Sequence, residues 1–158
     1  MLFRSGYSDA DWASNVDSRK STSGGCFFVG ANLTSWLCKT QTSVSLSTAE
    51  SEYIAAATAC TQLIWMRRML MDYGLSQGCM TLYCDNLSAM AMTKNSVYHS
   101  RTKHIDIRHH YIRDLVENKD VVLTHVDTKH QLADLLTKPL DGDRHEFLRR
   151  ELGVCSQN

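Results

Sequence analysis

The residues of this sequence best suited to chemistry are four widely separated carboxylic acids: Asp9, Glu52, Asp85 and Asp134. Carboxylate oxygens are hard donors, and a converging set of them holds hard divalent cations such as Mg²⁺ in preference to soft ones. Without the cations such a set repels itself, so a fold that gathers it makes the metal integral to the site. Each acid also has a plainer reading. Asp85 stands where the N-cap of the following helix would stand. Asp9 resists that explanation, because it lies in an otherwise apolar strand and a buried carboxylate needs a partner or a metal. Glu50 is set aside, since Ser47-Thr-Ala-Glu50 matches a capping box in which the glutamate reaches back to the helix start. Glu52 follows two residues later, about 200° around a helix. The two glutamates therefore cannot face one site. Glu52, which precedes Tyr53-Ile-Ala-Ala-Ala57, lies by the apolar stripe and is the ligand candidate.

The elements that must position these acids follow from periodicity. Phe3 to Trp12 reads as an alternating strand, closed by the polar stretch Ser14 to Ser23. Gly24–Gly30 and Leu33–Cys38 are short apolar runs separated by Gly30-Ala31-Asn32, the signature of a hairpin. From the capping box to about Tyr73, apolar residues recur at helical spacing, and Gly74 stops the run. Met80–Cys84 reads as a strand, Leu87 to about Lys94 as a brief helix, and about Lys103 to Glu117 as an amphipathic helix. Val121–Val126 is a further strand. Thr128-Lys-His-Gln131 matches a second capping box, predicting a helix through Leu136, and a last helix falls near Asp143 to Leu152. Three strands followed by strands alternating with helices imply a mixed five-stranded sheet flanked by helices, an α/β architecture. Asp85 then sits at a strand tip, where α/β sheets gather their ligand sites.

Composition narrows the class. A chain of 158 residues with 43% hydrophobic and 22% charged residues suits one compact globular domain. No apolar run approaches the roughly 20 residues that span a bilayer, and the N-terminus carries no secretory pattern. Six cysteines without a C-x-x-C pair suit a reduced, intracellular protein. Formal net charge is zero, so any nucleic-acid partner must be met by local patches rather than by the field of the whole molecule.

Six segments occur in an order that identifies a family. Gly6-Tyr-Ser-Asp-Ala-Asp-Trp12, Arg19-Lys-Ser-Thr-Ser-Gly24, Ser45-Leu-Ser-Thr-Ala-Glu-Ser-Glu-Tyr53, Cys84-Asp-Asn86, Arg101-Thr-Lys-His-Ile-Asp-Ile-Arg108 and Gln131-Leu-Ala-Asp-Leu-Leu-Thr-Lys-Pro139 resemble the successive motifs of the ribonuclease H domain of copia-type LTR retrotransposon Pol polyproteins. The resemblance implies a ribonuclease-H-like domain over residues 1–140, with a C-terminal helix and tail over 141–158. It implies an endoribonuclease that hydrolyses the RNA strand of RNA–DNA hybrids during reverse transcription, with a D-E-D-D site formed by Asp9, Glu52, Asp85 and Asp134. It further implies two Mg²⁺ ions, with Mn²⁺ as a substitute. Asp9 would bridge both, Glu52 and Asp85 would hold the one on the leaving-group side, and Asp134 the one carrying the attacking water. Asp11 shares the strand side of Asp9 and is a neighbour of that set. The expected partners are the hybrid and the reverse transcriptase domain of the same polyprotein, in a cytoplasmic virus-like particle and with no membrane.

Arg101, Lys103, Arg108 and Arg113 form a basic segment suited to phosphates, with Arg19-Lys20 and Arg67-Arg68 as smaller clusters. Asn86 and the Ser21–Ser23 loop are placed by the resemblance to meet 2′-hydroxyls. His104, His109 and His110 lack the spacing of a helical zinc pair. Cellular relatives use a mobile histidine upstream of the last Asp; His125 and His130 are both near that place and neither clearly fills it. A retroviral-type integrase core would carry its glutamate last rather than second. A non-catalytic remnant that keeps the fold and at most binds nucleic acid is the alternative from another class.

Overall fold

The structure is a computed structural model and describes residues 4–75, 78–94, 105 and 107–155. Strands β1 (Arg4–Asp11), β2 (Thr22–Val29) and β3 (Asn32–Thr40) form an antiparallel meander. Strands β4 (Met80–Cys84) and β5 (Val121–His125) extend the sheet on the other side of β1 in parallel, giving the order β3-β2-β1-β4-β5. Parallel neighbours need long crossovers. Helix α1 (Thr48–Asp72) supplies the first, leading into β4. Helix α2 (Leu87–Lys94), a 3-10 turn (Ile107–His110) and α3 (Tyr111–Glu117) belong to the second. The expected mixed five-stranded sheet with helical cover is the observed one.

Burial on both faces explains the apolar run in β2, where Ser23 to Phe28 are all buried. Phe27, Leu82 and Val121 pack with Tyr53, Ile54 and Leu63 of α1 and with Ile112 and Leu115 of α3. Cys26 and Phe28 belong to a second cluster with Leu132, Leu148 and Leu152, the last two from α4 (Gly142–Glu151) and its C-cap. All six cysteines are unpaired. Among the described residues, no helix is long and apolar enough to cross a membrane.

Local signals set the ends of α1. The Ser47 hydroxyl accepts the Glu50 N–H at 3.3 Å, as the capping box requires. Glu50 reaches one residue further back than expected and accepts the Leu46 N–H at 2.8 Å. At the other end Gly74 adopts φ +75°, and the N–H groups of Gly74 and Leu75 return to the carbonyls of Met71 and Leu70, a Schellman closure.

Two expected elements differ. In place of one helix from Lys103 to Glu117 there is the 3-10 turn followed by α3; residues 103, 104 and 106 lie outside the described residues. The second capping box does not form. Thr128–His130 and Leu132–Leu136 are separate 3-10 segments, interrupted by Gln131 in an extended conformation. The reason is the Gln131 side chain, which turns into the core, donates to the Ser8 carbonyl at 2.9 Å and accepts the Ala133 N–H at 3.3 Å.

Gly24 shows how tightly the second 3-10 segment seats on β2. A Cβ there would lie 2.5 Å from Thr137 Cγ2 and 3.2 Å from the Ala133 carbonyl oxygen. Gly24→Ala should destabilise the protein by about 1–3 kcal/mol through overpacking. A urea melt showing no loss of stability would contradict that close approach.

Candidate active site

Because β1 and β4 run parallel, their C-terminal ends open on the same edge of the sheet. Asp9 lies near the end of β1, opposite Gly24 of β2. Asp85 follows the last residue of β4, Glu52 enters from the start of α1, and Asp134 from the second 3-10 segment. Four distant stretches of chain thus deliver the four expected acids to one place. Asp9 is fully buried, Glu52 and Asp134 are 6% and 4% exposed, and Asp85 is half-buried.

Their contacts divide the cluster in two. Asp9 and Asp134 are bridged by Lys138, whose Nζ lies 2.9 Å from Asp9 Oδ1 and 2.7 Å from Asp134 Oδ1. The Thr137 hydroxyl donates to Asp9 Oδ2, and Arg144 Nη2 sits 3.2 Å from Asp134 Oδ2. On the other side, carboxylate oxygens of Glu52 and Asp85 and the Cys84 sulfur all lie within 4.8 Å of one another. Glu52 Oε1 accepts the Ala10 N–H at 3.1 Å, while buried Oε2 has no hydrogen-bond partner among the described residues. Asp85 Oδ2 accepts the Thr128 hydroxyl at 3.0 Å.

Electrostatics reflect this crowding. Burial pushes the Glu52 carboxyl up to about 9, and the charges of Asp9 and Asp85 add to the rise against the Ala10 hydrogen bond. Burial also raises Asp9 above the usual carboxylate value, with Lys138 and Thr137 pulling it back. Burial alone would lower Lys138, but Asp9 and the hydrogen bonds to Asp134 and Asp9 hold its ammonium above the ordinary lysine value. The Cys84 thiol is driven to about 12, chiefly by burial, and is therefore a neutral neighbour rather than a thiolate donor. The remaining donors are hard oxygens, and one of them is buried without a partner. That set fits a divalent cation of the Mg²⁺ type.

Asp85 does not cap α2. Asn86 does, through an Oδ1 that accepts the Ala89 N–H at 2.9 Å, so the Asp85 carboxylate is left to the site. An open cleft of about 470 Å³ runs from Glu52 and Asp85 past Trp12, Asp11, Asn86 and Lys138. Ser21 and Ser23, expected in a substrate-facing loop, are buried instead: Ser21 Oγ accepts the Ala13 N–H and Ser23 Oγ the Gln41 amide. Arg67 is engaged in an ion pair with Asp120. His110 Nδ1 meets the Tyr53 hydroxyl at 2.9 Å. His130 lies against the Phe147 ring. Arg101, Lys103 and the side chain of Arg108 lie outside the described residues. Thr137, Lys138 and Arg144 were not singled out by sequence. The first two sit inside a quoted motif, but only the fold shows that Lys138 falls between two acids.

Comparison with solved structures identifies the architecture. LC11 ribonuclease H1 in complex with an RNA/DNA hybrid matches 85% of this chain and 93% of its own, with a TM-score of 0.61 at 13% identity. The N-terminal ribonuclease H domain of a Mycobacterium tuberculosis protein matches 95% of this chain and 98% of its own, with a TM-score of 0.62 at 9% identity. The fold is that of the ribonucleases H. No protein-family model matches the chain. Over 151 residues, 96% of its length, the chain is 42% identical to the retrovirus-related Pol polyprotein of transposon TNT 1-94 from Nicotiana tabacum, of which it spans 11%. It is therefore homologous to one segment of copia-type retrotransposon Pol polyproteins, and the resemblance read from its motifs is borne out.

Proposed function

We propose that the chain is the ribonuclease H segment of a retrotransposon Pol polyprotein, an endoribonuclease that hydrolyses the RNA strand of RNA–DNA hybrids. The observation that carries this reading is the convergence of Asp9, Glu52, Asp85 and Asp134, from four elements of a ribonuclease H fold, around a buried and unpartnered Glu52 oxygen. Two divalent ions, Mg²⁺ or Mn²⁺, would be held by these acids, Asp9 contributing to both. When bound they neutralise the charge developing on the phosphate and lower the pKa of an attacking water. The protein's own part is to fix the acids. The Ala10 N–H orients Glu52, Thr128 orients Asp85, and Thr137 orients Asp9. The cleft beside Trp12 and Asn86 would take the hybrid, with Arg101, Lys103 and Arg108 on its phosphates. Asn86, whose carboxamide oxygen is spent on the helix cap, would meet the RNA strand through its amide N–H groups.

The nuclease unit would span 1–140, with 141–158 as an appended helix and tail that contributes Arg144. The reverse transcriptase domain of the same polyprotein would be its partner, in a cytoplasmic virus-like particle. The test is direct. With Mg²⁺, the folded chain should shorten the RNA strand of a labelled hybrid, leave the DNA strand intact, and stop when EDTA is added. Intact RNA in both Mg²⁺ and Mn²⁺ would favour a non-catalytic remnant instead.

A further inference from the structure

Asp9 and Asp134 have no idle oxygen. Asp9 Oδ1 and Asp134 Oδ1 are both taken by Lys138 Nζ, Asp9 Oδ2 by the Thr137 hydroxyl, and Asp134 Oδ2 by Arg144. The Glu52–Asp85 half differs, with an unpartnered buried oxygen on Glu52 and a single neutral hydroxyl on Asp85. A cation approaching the first half meets a like charge already seated between its ligands. One approaching the second half meets no seated cation.

We propose that Lys138 is a tethered placeholder: its ammonium holds Asp9 and Asp134 together before a divalent ion arrives and must be displaced for that half of the site to load. The proposal rests on the reading of these acids as metal ligands. Its physical basis is that fully buried Asp9 cannot stand uncompensated, since removing the partner of a buried charge is costly. A lysine is suited to the task because its ammonium is a compact point charge on a flexible stem. The stem has somewhere to go: the Lys138 side chain is 32% exposed and borders the open cleft with Glu52 and Asp85. Arg144 reinforces Asp134 alone and makes no contact with Asp9 among the described residues. The consequence is ordered loading. The Glu52–Asp85 half takes the first divalent ion, Asp9 becomes a ligand of either ion only as Lys138 gives way, and the Asp9–Asp134 half therefore binds by exchange, with weaker apparent affinity.

Mn²⁺ titration at pH 8, counting free ion by its paramagnetic resonance, tests this. Wild type should show a tighter and a weaker step. Lys138→Met should tighten the weaker step roughly tenfold while lowering the melting temperature of the metal-free protein. Lys138→Arg, which keeps the charge, should retain both the metal-free stability and the weak step. An unchanged or further weakened second step in Lys138→Met would overturn the placeholder. Wild type alone gives a second measurement should that variant fail to fold. Acylation of the Lys138 amine, followed by mass spectrometry, should rise when Mn²⁺ is added, and constant or falling labelling overturns the proposal. Absence of any Mn²⁺ binding by wild type would instead sink the metal site itself, and the placeholder with it.

Discussion

Asp85→Asn is expected to lower Mg²⁺-dependent cleavage of an RNA–DNA hybrid by on the order of 10³-fold, equivalent to about 4 kcal/mol of transition-state stabilisation. The melting temperature of the metal-free protein should move by no more than about 2 °C. The two outcomes belong together because of where Asp85 sits. It is half-buried at the tip of β4, its carboxylate has Thr128 as its only hydrogen-bond partner among the described residues, and the cap of α2 is made by Asn86. Asparagine keeps the volume and can still accept from Thr128. It loses the negative charge that a divalent ion requires, and little else. Asp9→Asn would be a poorer probe, since it strips a buried ion pair from Lys138 and mixes lost stability with lost chemistry. Steady-state cleavage by the purified Asp85→Asn protein, beside a thermal melt, separates the two effects. Cleavage at the wild-type rate would remove Asp85 from the site and, with it, the case for this acidic cluster as the reactive centre.

Much of this site was legible because its parts are local signals repeated at a distance. Ser47 and Gly74 bracket α1 through ordinary cap chemistry, and the bracket is what turns Glu52 rather than Glu50 toward β1. The short apolar run marks β2, because a strand covered on both faces leaves no room for polar alternation, whereas β3 and β4 alternate in burial along their length. What was not legible depends on tertiary partners. Thr128-Lys-His-Gln131 has the letters of a capping box, yet Gln131 finds the Ser8 carbonyl, 123 residues earlier, and the helix becomes two 3-10 segments. Ser21 and Ser23 look like loop hydroxyls, but Ser21 lies buried just before β2 and Ser23 within it, and they are consumed by Ala13 and Gln41. Lys138 lies within a family-like motif without any periodic signal to mark its role, and Arg144 has neither. Their role exists only once the second 3-10 segment and α4 have folded against the end of β1.

The second large effect is one of pH on the metal-free protein, and its sign runs against the usual behaviour of carboxylates. Glu52 rises from an ordinary value of 4.5 to about 9, chiefly through burial. Between those limits the folded protein keeps a proton that the unfolded chain has released. Stability therefore falls as pH rises through this window, by up to about 1.4 kcal/mol per pH unit from this group alone. Asp9, also raised by burial, acts in the same direction from the lower end of the window. Neither the raised Lys138 nor the lowered Glu146 interferes. The first titrates above its ordinary value of 10.5 and the second, at about 2, below 4.5. Glu52→Gln should accordingly flatten the decline between pH 5 and pH 9, and in EDTA at pH 8 it should be more stable than wild type. Mg²⁺ should reverse that order, since it compensates the Glu52 carboxylate in wild type and finds one ligand fewer in the variant. Urea melts of both proteins across this range, with and without Mg²⁺, read the difference directly. A wild type whose stability climbs with pH in EDTA in step with Glu52→Gln would show that Glu52 is not a buried, cation-seeking carboxylate. In that case the unpartnered oxygen on which the metal reading rests would have another explanation.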